Sequence, residues 1–320
     1  MSGMNDKKKE RTMSLALLFV GAIWGFGFIA VELALESGFT TLFINFFRFA
    51  VASVLTFAAF PKTILKMKLK DVKVSLLSGL FMAFGFFFQV LGQTYTTPGN
   101  NALITGSYTV FVPMLLALFF KVRPHKNEVV AAIVAFVGII ILYLPNISLK
   151  SFHIGDIYSV IAAICFALQF INLDKAVKNA DPKIVTFVQL LLSTVLFLVF
   201  FLIVDVEKVP SFDFSKGVLP VLYLGVFSSF TAYVIQTHAQ KVLSPTKVSV
   251  IMASEAVFGA ILSIAFGYEN VTVTFVVGGI MAISGLLISQ IRPKAKTSAQ
   301  SATVAENGEE NASSESENKD

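Results

Sequence analysis

The chain has 320 residues, of which 55% are hydrophobic and 14% are charged, and its formal net charge is +5. Charged residues make up roughly 25% of an average soluble domain, so this composition excludes a large soluble domain. Ten long apolar stretches rich in the chain's 33 Phe indicate a protein that works inside a lipid bilayer. The single cysteine, Cys165, excludes an intrachain disulfide and says little about redox compartment.

Each apolar stretch can cross the bilayer as a helix, because the hydrocarbon core needs about 20 helical residues. We therefore predict an all-α integral membrane protein with ten transmembrane helices. The predicted helices cover residues 13–35, 40–60, 72–93, 100–120, 128–145, 156–174, 183–204, 217–238, 245–266 and 272–291. No small-residue cleavage site follows the first stretch, so we interpret it as the first helix and not as a removed signal.

The basic residues lie mainly on one side of these helices. Lys and Arg prefer the cytoplasmic side of short loops. With the N-terminus inside, the inner segments hold 21 of the 25 Lys and Arg residues. Those segments are residues 1–12, 61–73, 121–128, 175–183, 239–247 and 292–320. The distribution predicts a multi-pass protein of the plasma (cell) membrane with both termini in the cytoplasm. It assigns the basic residues to topology and lipid headgroups, with no nucleic-acid partner.

The two ends of the chain differ from the apolar body. Residues 1–12 are predicted to be a cytoplasmic N-terminal segment. Residues 292–320 are rich in Ser, Ala, Asn and Glu without apolar periodicity, so they are predicted to form a disordered cytoplasmic tail. The body divides into five-helix halves at residues 13–145 and 156–291.

The two halves are related by an internal repeat. A first shift of the chain against itself aligns Phe46 with Phe187 and Arg48 with Gln189. A second, slightly longer shift aligns the later helices, and the matching pairs are Phe86 and Tyr233, Gln89 and Gln236, Gln93 and Gln240, Pro98 and Pro245, Ser107 and Ser254, and Gly138 and Gly285. Each half has an odd number of spans, so the second half enters the membrane from the other side. Such an inverted-topology repeat around a central cavity is typical of secondary transporters. The alternative is a duplicated membrane scaffold.

Particular motifs in both halves resemble a known family. They are Trp24-Gly25-Phe26-Gly27-Phe28, Arg48-Phe49, the stretch from Thr97-Pro98 to Pro113, and the stretch from Ser244-Pro245 to Glu255. Over residues 13–291 the chain resembles two repeats of the EamA family of the drug/metabolite transporter superfamily. The resemblance implies a ten-helix bundle around a central cavity that moves small metabolites or drugs, often outward.

The chain departs from this family pattern in two places. Ala256 follows Glu255 where the family often has Glu-Pro. Lys121-Val122-Arg123 stands after the fourth helix where the family often has Gly-Glu. These departures weaken the transfer of any subfamily's substrate to this chain.

Ionisable side chains inside the predicted helices are candidate functional groups, because they are costly there and usually face a cavity or a partner. The candidates are Glu32, Arg48 and Glu255. Arg48 suits an anionic anchor, since its planar fork fits carboxylate or phosphate. The alternative is a structural pair of Arg48 with Glu32 or with helix-end carbonyls. Glu255 in an apolar surrounding would favour the uncharged carboxyl and suit a proton-coupled cycle. Its alternative is hydrogen bonding to Ser254, Ser228 or Ser229 without proton transfer.

Several polar or aromatic side chains complete the candidate substrate-binding or gating set. The repeat-related Gln89 and Gln236 lie at opposite depths, where they line two gates or join helices. Trp24 forms a cavity wall or packs between helices. The weaker candidates are Asn101, Gln169 and Asn172. Gly21 and Gly25 have the spacing that lets a neighbouring helix approach closely. Pro98, Pro113 and Pro245 are predicted to mark helix starts or kinks and to permit hinging.

These features favour a secondary transporter, permease or exporter, of small organic metabolites such as amino acids or drugs. The G-x-x-x-x-G-K-[ST] motif is missing, so ATP hydrolysis by this chain is not expected and no ATPase subunit is required. His125, His153 and His238 are too scattered for a zinc protease motif, so we expect neither an enzyme nor a metal or other cofactor. A channel or a non-transporting sensor is the alternative. We expect a monomer, with a dimer as the alternative.

Overall fold

The computed structural model describes residues 2–96, 98–144, 153–265 and 271–291. Within these ranges every regular element is a helix, and ten helices are long and apolar enough to cross a membrane. The expected ten-span all-α architecture is therefore confirmed.

The chain divides into two units by its internal contacts. The first unit ends at Gln290 and contains all the helices. The second unit, Ile291–Asp320, contributes only Ile291 to the described residues. The tail predicted to be disordered, residues 292–320, lies outside the described residues.

We number the spans α1 to α10 and divide an interrupted span into parts a and b. The bounds are α1 Ser2–Glu36, α2 Thr41–Ala59, α3 Leu69–Gln93, α4a Pro98–Thr105, α4b Tyr108–Leu118, α5 Lys126–Tyr143, α6 Ile154–Asn179, α7 Pro182–Val204, α8a Phe214–Tyr223, α8b Ala232–Gln240, α9a Pro245–Met252, α9b Ser254–Ala265 and α10 Val273–Gln290. A π-helical stretch, Leu224–Thr231, joins α8a to α8b. Two short helical turns, Pro61–Ile64 and Val206–Ser211, follow α2 and α7.

The two ends of the bundle can be told apart by one hydrogen bond. The Ser14 hydroxyl near the start of α1 donates to Gln290 Oε1 at the end of α10, at 3.1 Å. We call this end the terminal side and the other the opposite side. Because successive spans alternate in direction, α3 ends on the opposite side at Gln93, and α8 ends on the terminal side at Gln240.

Two helices extend well beyond the expected bounds. The first begins at Ser2 and not at residue 13, because the Lys and Glu residues before the apolar stretch are good helix formers. The sixth continues to Asn179 and not only to residue 174. Along its polar end, the Asn172 and Asn179 amides donate to carbonyls one turn earlier, at 2.8 Å each.

The interruptions in α4 and α9 lie at equivalent positions of the two repeats. The first falls at Gly106 and Ser107, and the second at Ala253, which the second shift of the repeat aligns with Gly106. Both are tightened turns: Thr109 N donates to Gly106 O, and Ala256 N donates to Ala253 O, each at 3.2 Å. Such three-residue spacing marks a mid-helix stretch of 3₁₀ geometry, which often accompanies a hinge.

The prolines of α4 and α9 do not lie at these interruptions. Pro98 and Pro245 are the first residues of α4a and α9a, where the missing N–H is not needed, so their expected role as helix starts is confirmed. Pro113 lies inside α4b without interrupting it. Pro113 is therefore not a helix start, and its expected role as a kink stays a prediction.

One bundle of three helices lies on each side of the centre. In one bundle, α1 packs against α8 and α9: Gly25 lies so close to α9 that a Cβ there would be 2.6 Å from Gly259 N. In the other, α3 packs against α4 and α6: a Cβ at Gly92 would be 2.9 Å from Ser159 Oγ. The close approach expected at Gly21 and Gly25 is confirmed, and both glycines contact α9.

Glycine also lets α5 and α10 pack together outside these bundles. A Cβ at Gly285 would lie 2.6 Å from Ala135 N, and Gly138, its repeat counterpart, contacts Ala282 in the same way. The repeat match between the two glycines therefore reflects one helix contact seen from both sides.

Candidate functional site

A small cavity of about 40 Å³ lies between the two bundles. Its walls come from α1, α2, α3, α4, α6, α8 and α9, so both repeats contribute. Five residues expected from the sequence to be functional line it: Trp24, Arg48, Gln89, Gln169 and Glu255. Apolar rings, including Phe86 and Tyr233, make up much of the remaining wall.

Arg48 is the cationic group of this cavity. It lies about 10 Å along α2 at the helical rise of 1.5 Å per residue, and it is 2% exposed. Its Nε donates to Ser229 Oγ at 2.9 Å and its Nη2 donates to Ser228 Oγ at 3.0 Å. The guanidinium also lies over the Phe86 ring, 4.3 Å from the centroid.

The alternative pairing of Arg48 with Glu32 is wrong. Arg48 turns toward α8, where two serine hydroxyls and an aromatic face hold it. Glu32 Oε2 instead accepts a hydrogen bond from Gln93 Nε2 on α3 at 2.9 Å. The short connection between α1 and α2 made this pair plausible, but the two side chains face different neighbours.

The π-helical stretch of α8 contains the two adjacent serines that bind the guanidinium. In this wider turn the Ala232 N–H donates to Phe227 O, five residues back. That leaves the Ser228 carbonyl for a side chain, and Trp24 Nε1 donates to it at 2.8 Å. The same stretch thus fixes Trp24 through its backbone and Arg48 through its side chains. A π-helical turn inside a helix is frequent at functional sites.

Glu255 meets a partner that sequence reasoning missed. Tyr108 Oη donates to Glu255 Oε1 at 3.0 Å, and both side chains are buried. The alternative expectation, bonds from Ser254, Ser228 or Ser229, is wrong, since Ser254 Oγ has no partner among the described residues and both other serines bind Arg48. The second shift of the repeat aligns Tyr108 with Glu255, so the alignment itself held this signal.

Repeat-equivalent residues touch each other along one line through the protein. Besides Tyr108 with Glu255, the rings of Phe86 and Tyr233 lie 6.1 Å apart, and the second shift also aligns these two residues. Two residues related by a two-fold operation touch only where the axis passes between them. These pairs therefore mark the pseudo-two-fold axis of the inverted repeat.

The charges break this symmetry. Arg48 in the first repeat is replaced by Gln189 in the second, and Glu255 in the second is replaced by Tyr108 in the first. Gln189 Oε1 accepts from Gln169 Nε2 at 3.1 Å within an amide chain. The scaffold is thus nearly symmetric, whereas its cavity holds a cation from one repeat and a carboxyl group from the other.

The remaining candidates lie beside the cavity or away from it. Asn101 Nδ2 donates to Gln89 O at 2.9 Å and joins α4 to α3. Gln236 is buried, and its amide points toward Gln169 Oε1 at 3.5 Å. Asn172 donates to Leu168 O within its own helix. Gln93 was missed as a site residue, although it lines the cavity and its match to Gln240 was visible in the repeat.

The family model for the EamA-like transporter family matches residues 11–144 and again residues 153–290. The chain belongs to the EamA-like transporter family. The two matched ranges coincide with the two five-helix repeats, so the family unit is one repeat and this EamA protein contains two.

Relatives of this EamA protein carry the same general description. An "Uncharacterized transporter" of Archaeoglobus fulgidus is 28% identical over 89% of this chain and 87% of its own length. "Uncharacterized transporter YyaM" of Bacillus subtilis is 28% identical over 80% of this chain and 87% of its own length. A solved structure titled "Crystal structure of protein" matches 87% of this chain and 97% of its own with a TM-score of 0.68. At 14% identity that likeness concerns the fold alone.

Proposed function

We propose that this EamA-family protein is a secondary transporter that moves a small organic solute with an anionic group by alternating access. The observation that carries this proposal is Arg48: a buried cation in a cavity shared by both repeats, held by serine hydroxyls. Among the described residues no carboxylate lies within ion-pair distance of it. A bound carboxylate or phosphate would supply the missing negative charge.

The physical argument rests on the cost of a charge in the membrane. A buried guanidinium loses its free energy of hydration, and hydrogen bonds to neutral hydroxyl groups compensate for that loss only in part. Arg48 uses Nε and Nη2 for Ser229 and Ser228, while Nη1 has no hydrogen-bond partner among the described residues. The planar fork therefore keeps one edge for an anionic solute, which it would bind through charge-assisted hydrogen bonds.

A second cavity supports an anionic solute. It has a volume of about 360 Å³ and lies on the terminal side, between the ends of α4, α6 and α8. Its walls include Arg123, Lys175, Lys178 and Lys241, against two acidic residues. One of these, Asp174, is already paired with Lys178 at 2.7 Å. A cleft with a surplus of one charge sign raises the local concentration of counter-ions.

The transport cycle would use the repeat architecture. Two related packings of an inverted repeat open the central site to one side and then to the other. Glu255 is the candidate for proton coupling, since it is buried, lines the same cavity as Arg48, and has an uncharged partner in Tyr108. Energy would come from an ion or solute gradient, so neither an ATPase subunit nor enzymatic activity is needed.

The proposed cellular setting follows from the basic residues. The terminal side carries most of the Lys and Arg residues, so we place it and both termini in the cytoplasm, with the protein in the plasma membrane. The cavity lies within one chain, which supports a monomer as the working unit.

The test uses proteoliposomes and labelled organic anions, amino acids among them, with and without an imposed pH gradient. We expect saturable uptake that Arg48→Gln reduces at least tenfold and that Arg11→Gln, a control on the exposed start of α1, leaves unchanged. Trp24 is the chain's one tryptophan, so its fluorescence would report binding beside Arg48 directly.

Each other outcome points to a different class of protein. Fluorescence changes without uptake would favour a non-transporting sensor or scaffold. Uptake that rises linearly with solute concentration would favour a channel. Equal uptake by wild type and Arg48→Gln would contradict the anion anchor.

A further inference from the structure

The two three-helix bundles are joined across the cavity at three levels. At the centre, Tyr108 of α4b bonds Glu255 of α9b on the pseudo-two-fold axis. On the opposite side, Gln93 at the end of α3 reaches α1. On the terminal side, Gln240 at the end of α8 reaches α6. The second shift of the repeat aligns the two glutamines, which are therefore repeat counterparts.

Both glutamines make the same kind of contact. Gln93 Nε2 donates to the backbone carbonyl of Phe28 at 3.1 Å. Gln240 Nε2 donates to the backbone carbonyl of Phe170 at 3.0 Å. Phe170 directly follows Gln169, which the first shift of the repeat aligns with Phe28. Each amide thus ties the last turn of one helix to a helix of the facing bundle.

Each glutamine also borders a cavity. Gln93 lines the central cavity, and Gln240 lines the terminal-side cavity. On α6, Phe170 lines the central cavity and the next residue, Ile171, lines the terminal-side cavity. The Gln240 contact therefore lies at the partition between the two cavities.

We propose that Gln93 and Gln240 are a pair of symmetry-related latches, one closing the opposite side of the central cavity and the other the terminal side. This inference rests on the proposed alternating-access function. Opening one side requires the two bundles to separate there, which breaks that side's glutamine bond. The other glutamine keeps its bond, and the contact on the axis keeps the bundles together.

The latches differ in strength because the repeat is imperfect. Gln93 Nε2 also donates to Glu32 Oε2 at 2.9 Å, and Gln93 Oε1 accepts from Asn101 at 3.3 Å. The counterpart of Glu32 is Leu173, and Gln240 Oε1 has no partner among the described residues. The opposite-side latch is thus the stronger one. Its loss shifts the equilibrium between closed and open states further than loss of the terminal-side latch does.

The experiment measures which side opens, with no need for a solute. In a Cys165→Ser background, Thr105→Cys places one thiol in the central cavity. Sealed membrane vesicles of each orientation are treated with a membrane-impermeant thiol reagent. Methionine has the length of glutamine and no amide. We expect Gln93→Met to raise the labelling rate at least threefold from the opposite side alone, and Gln240→Met to raise it from the terminal side alone.

Matched controls sit on the same helix ends. Thr94→Val and Thr237→Val each remove a hydroxyl that bonds only within its own helix, and we expect neither to change labelling. Gln93→Asn and Gln240→Asn keep the amide but shorten its reach, so they should behave as the methionine variants do.

Two results would overturn the latch proposal. One is an unchanged labelling rate in both glutamine variants, and the other is a rate that rises from both sides in either variant. Failure of transport is a separate result. If labelling shifts as expected while no anion is carried in proteoliposomes, the gating inference stands and the proposed transport activity falls.

Discussion

At the residue scale, the central site depends on a cation that is satisfied by neutral partners. Ser228 and Ser229 hold Arg48 from α8, and Trp24 holds the same stretch through the Ser228 carbonyl. The sequence identified Arg48 and Trp24 because charge and indole are rare inside the spans. It named these serines as partners of Glu255 and not of Arg48, since hydroxyl groups are common in helices and their partners depend on packing.

Removing both serine hydroxyls while Arg48 remains should destabilise the protein more than removing the two hydroxyls and the charge together. We expect the double variant Ser228→Ala, Ser229→Ala to lose about 3–6 kcal/mol, because two hydrogen bonds to a charged group are lost and each contributes roughly 1.5–3 kcal/mol. Adding Arg48→Met should recover most of that loss. Unfolding in detergent, followed by Trp24 fluorescence, measures this. A triple variant as unstable as the double variant would contradict the prediction.

Glu255 and Tyr108 should have separable effects on proton coupling. Glu255→Gln keeps a hydrogen-bond acceptor for Tyr108 but removes the titrating carboxyl, so we expect uptake that no longer responds to a pH gradient. Tyr108→Phe keeps the carboxyl and removes its hydrogen bond. It should retain a response to the gradient with altered pH dependence.

The measurement for this pair is anion uptake into proteoliposomes at matched internal pH, with and without an external proton gradient. Full gradient stimulation in Glu255→Gln would remove this residue from the coupling step.

At the element scale, glycine decides which helices approach each other. Gly25 lies against Gly259 of α9, whereas nothing lies within 4 Å of the Cβ position at Gly279 of α10. Helix periodicity identified the Gly21 and Gly25 pair as a contact face but could not say which helix it meets. That choice depends on the packing of all the spans together.

We expect Gly25→Ala to lower stability by about 1–3 kcal/mol, the usual cost of overpacking. Gly279→Ala, the control, should be neutral or slightly stabilising, since Ala favours the helix over Gly by roughly 1 kcal/mol. Thermal unfolding of the two purified variants beside wild type tests this. Equal stability of the two variants would indicate that α1 and α9 can separate without cost.

At the scale of the whole molecule, the pseudo-two-fold axis predicts which contacts survive the transport cycle. Exchanging the conformations of two inverted repeats turns one access state into the other. A contact between repeat-equivalent residues maps onto itself in that exchange, so it persists in both states. Tyr108 with Glu255 is such a contact. Ser53 with Thr194 is another, since their hydroxyls lie 3.0 Å apart and the first shift aligns the two residues.

A cross-link on the axis should therefore leave transport intact. In the Cys165→Ser background, oxidation of Ser53→Cys with Thr194→Cys should retain at least half of the uptake rate. Linking Phe28→Cys to Gln93→Cys with a short bifunctional thiol reagent, across the proposed opposite-side latch, should stop it. Uptake is compared before and after reduction of each link. Reversible loss of transport with the axis link would contradict the persistent contact.

The sequence by itself determined the ten spans and the two repeats. These features follow from local apolar length and from matches along one chain, which hold whatever the helices' rotations. Only the tertiary structure decided that Arg48 meets Ser228 and Ser229, that Glu32 meets Gln93, and that Tyr108 meets Glu255. Hydrogen-bond partners depend on how each helix is rotated and how deeply it sits beside its neighbours. A change of one residue in register moves a side chain by about 100° around its helix.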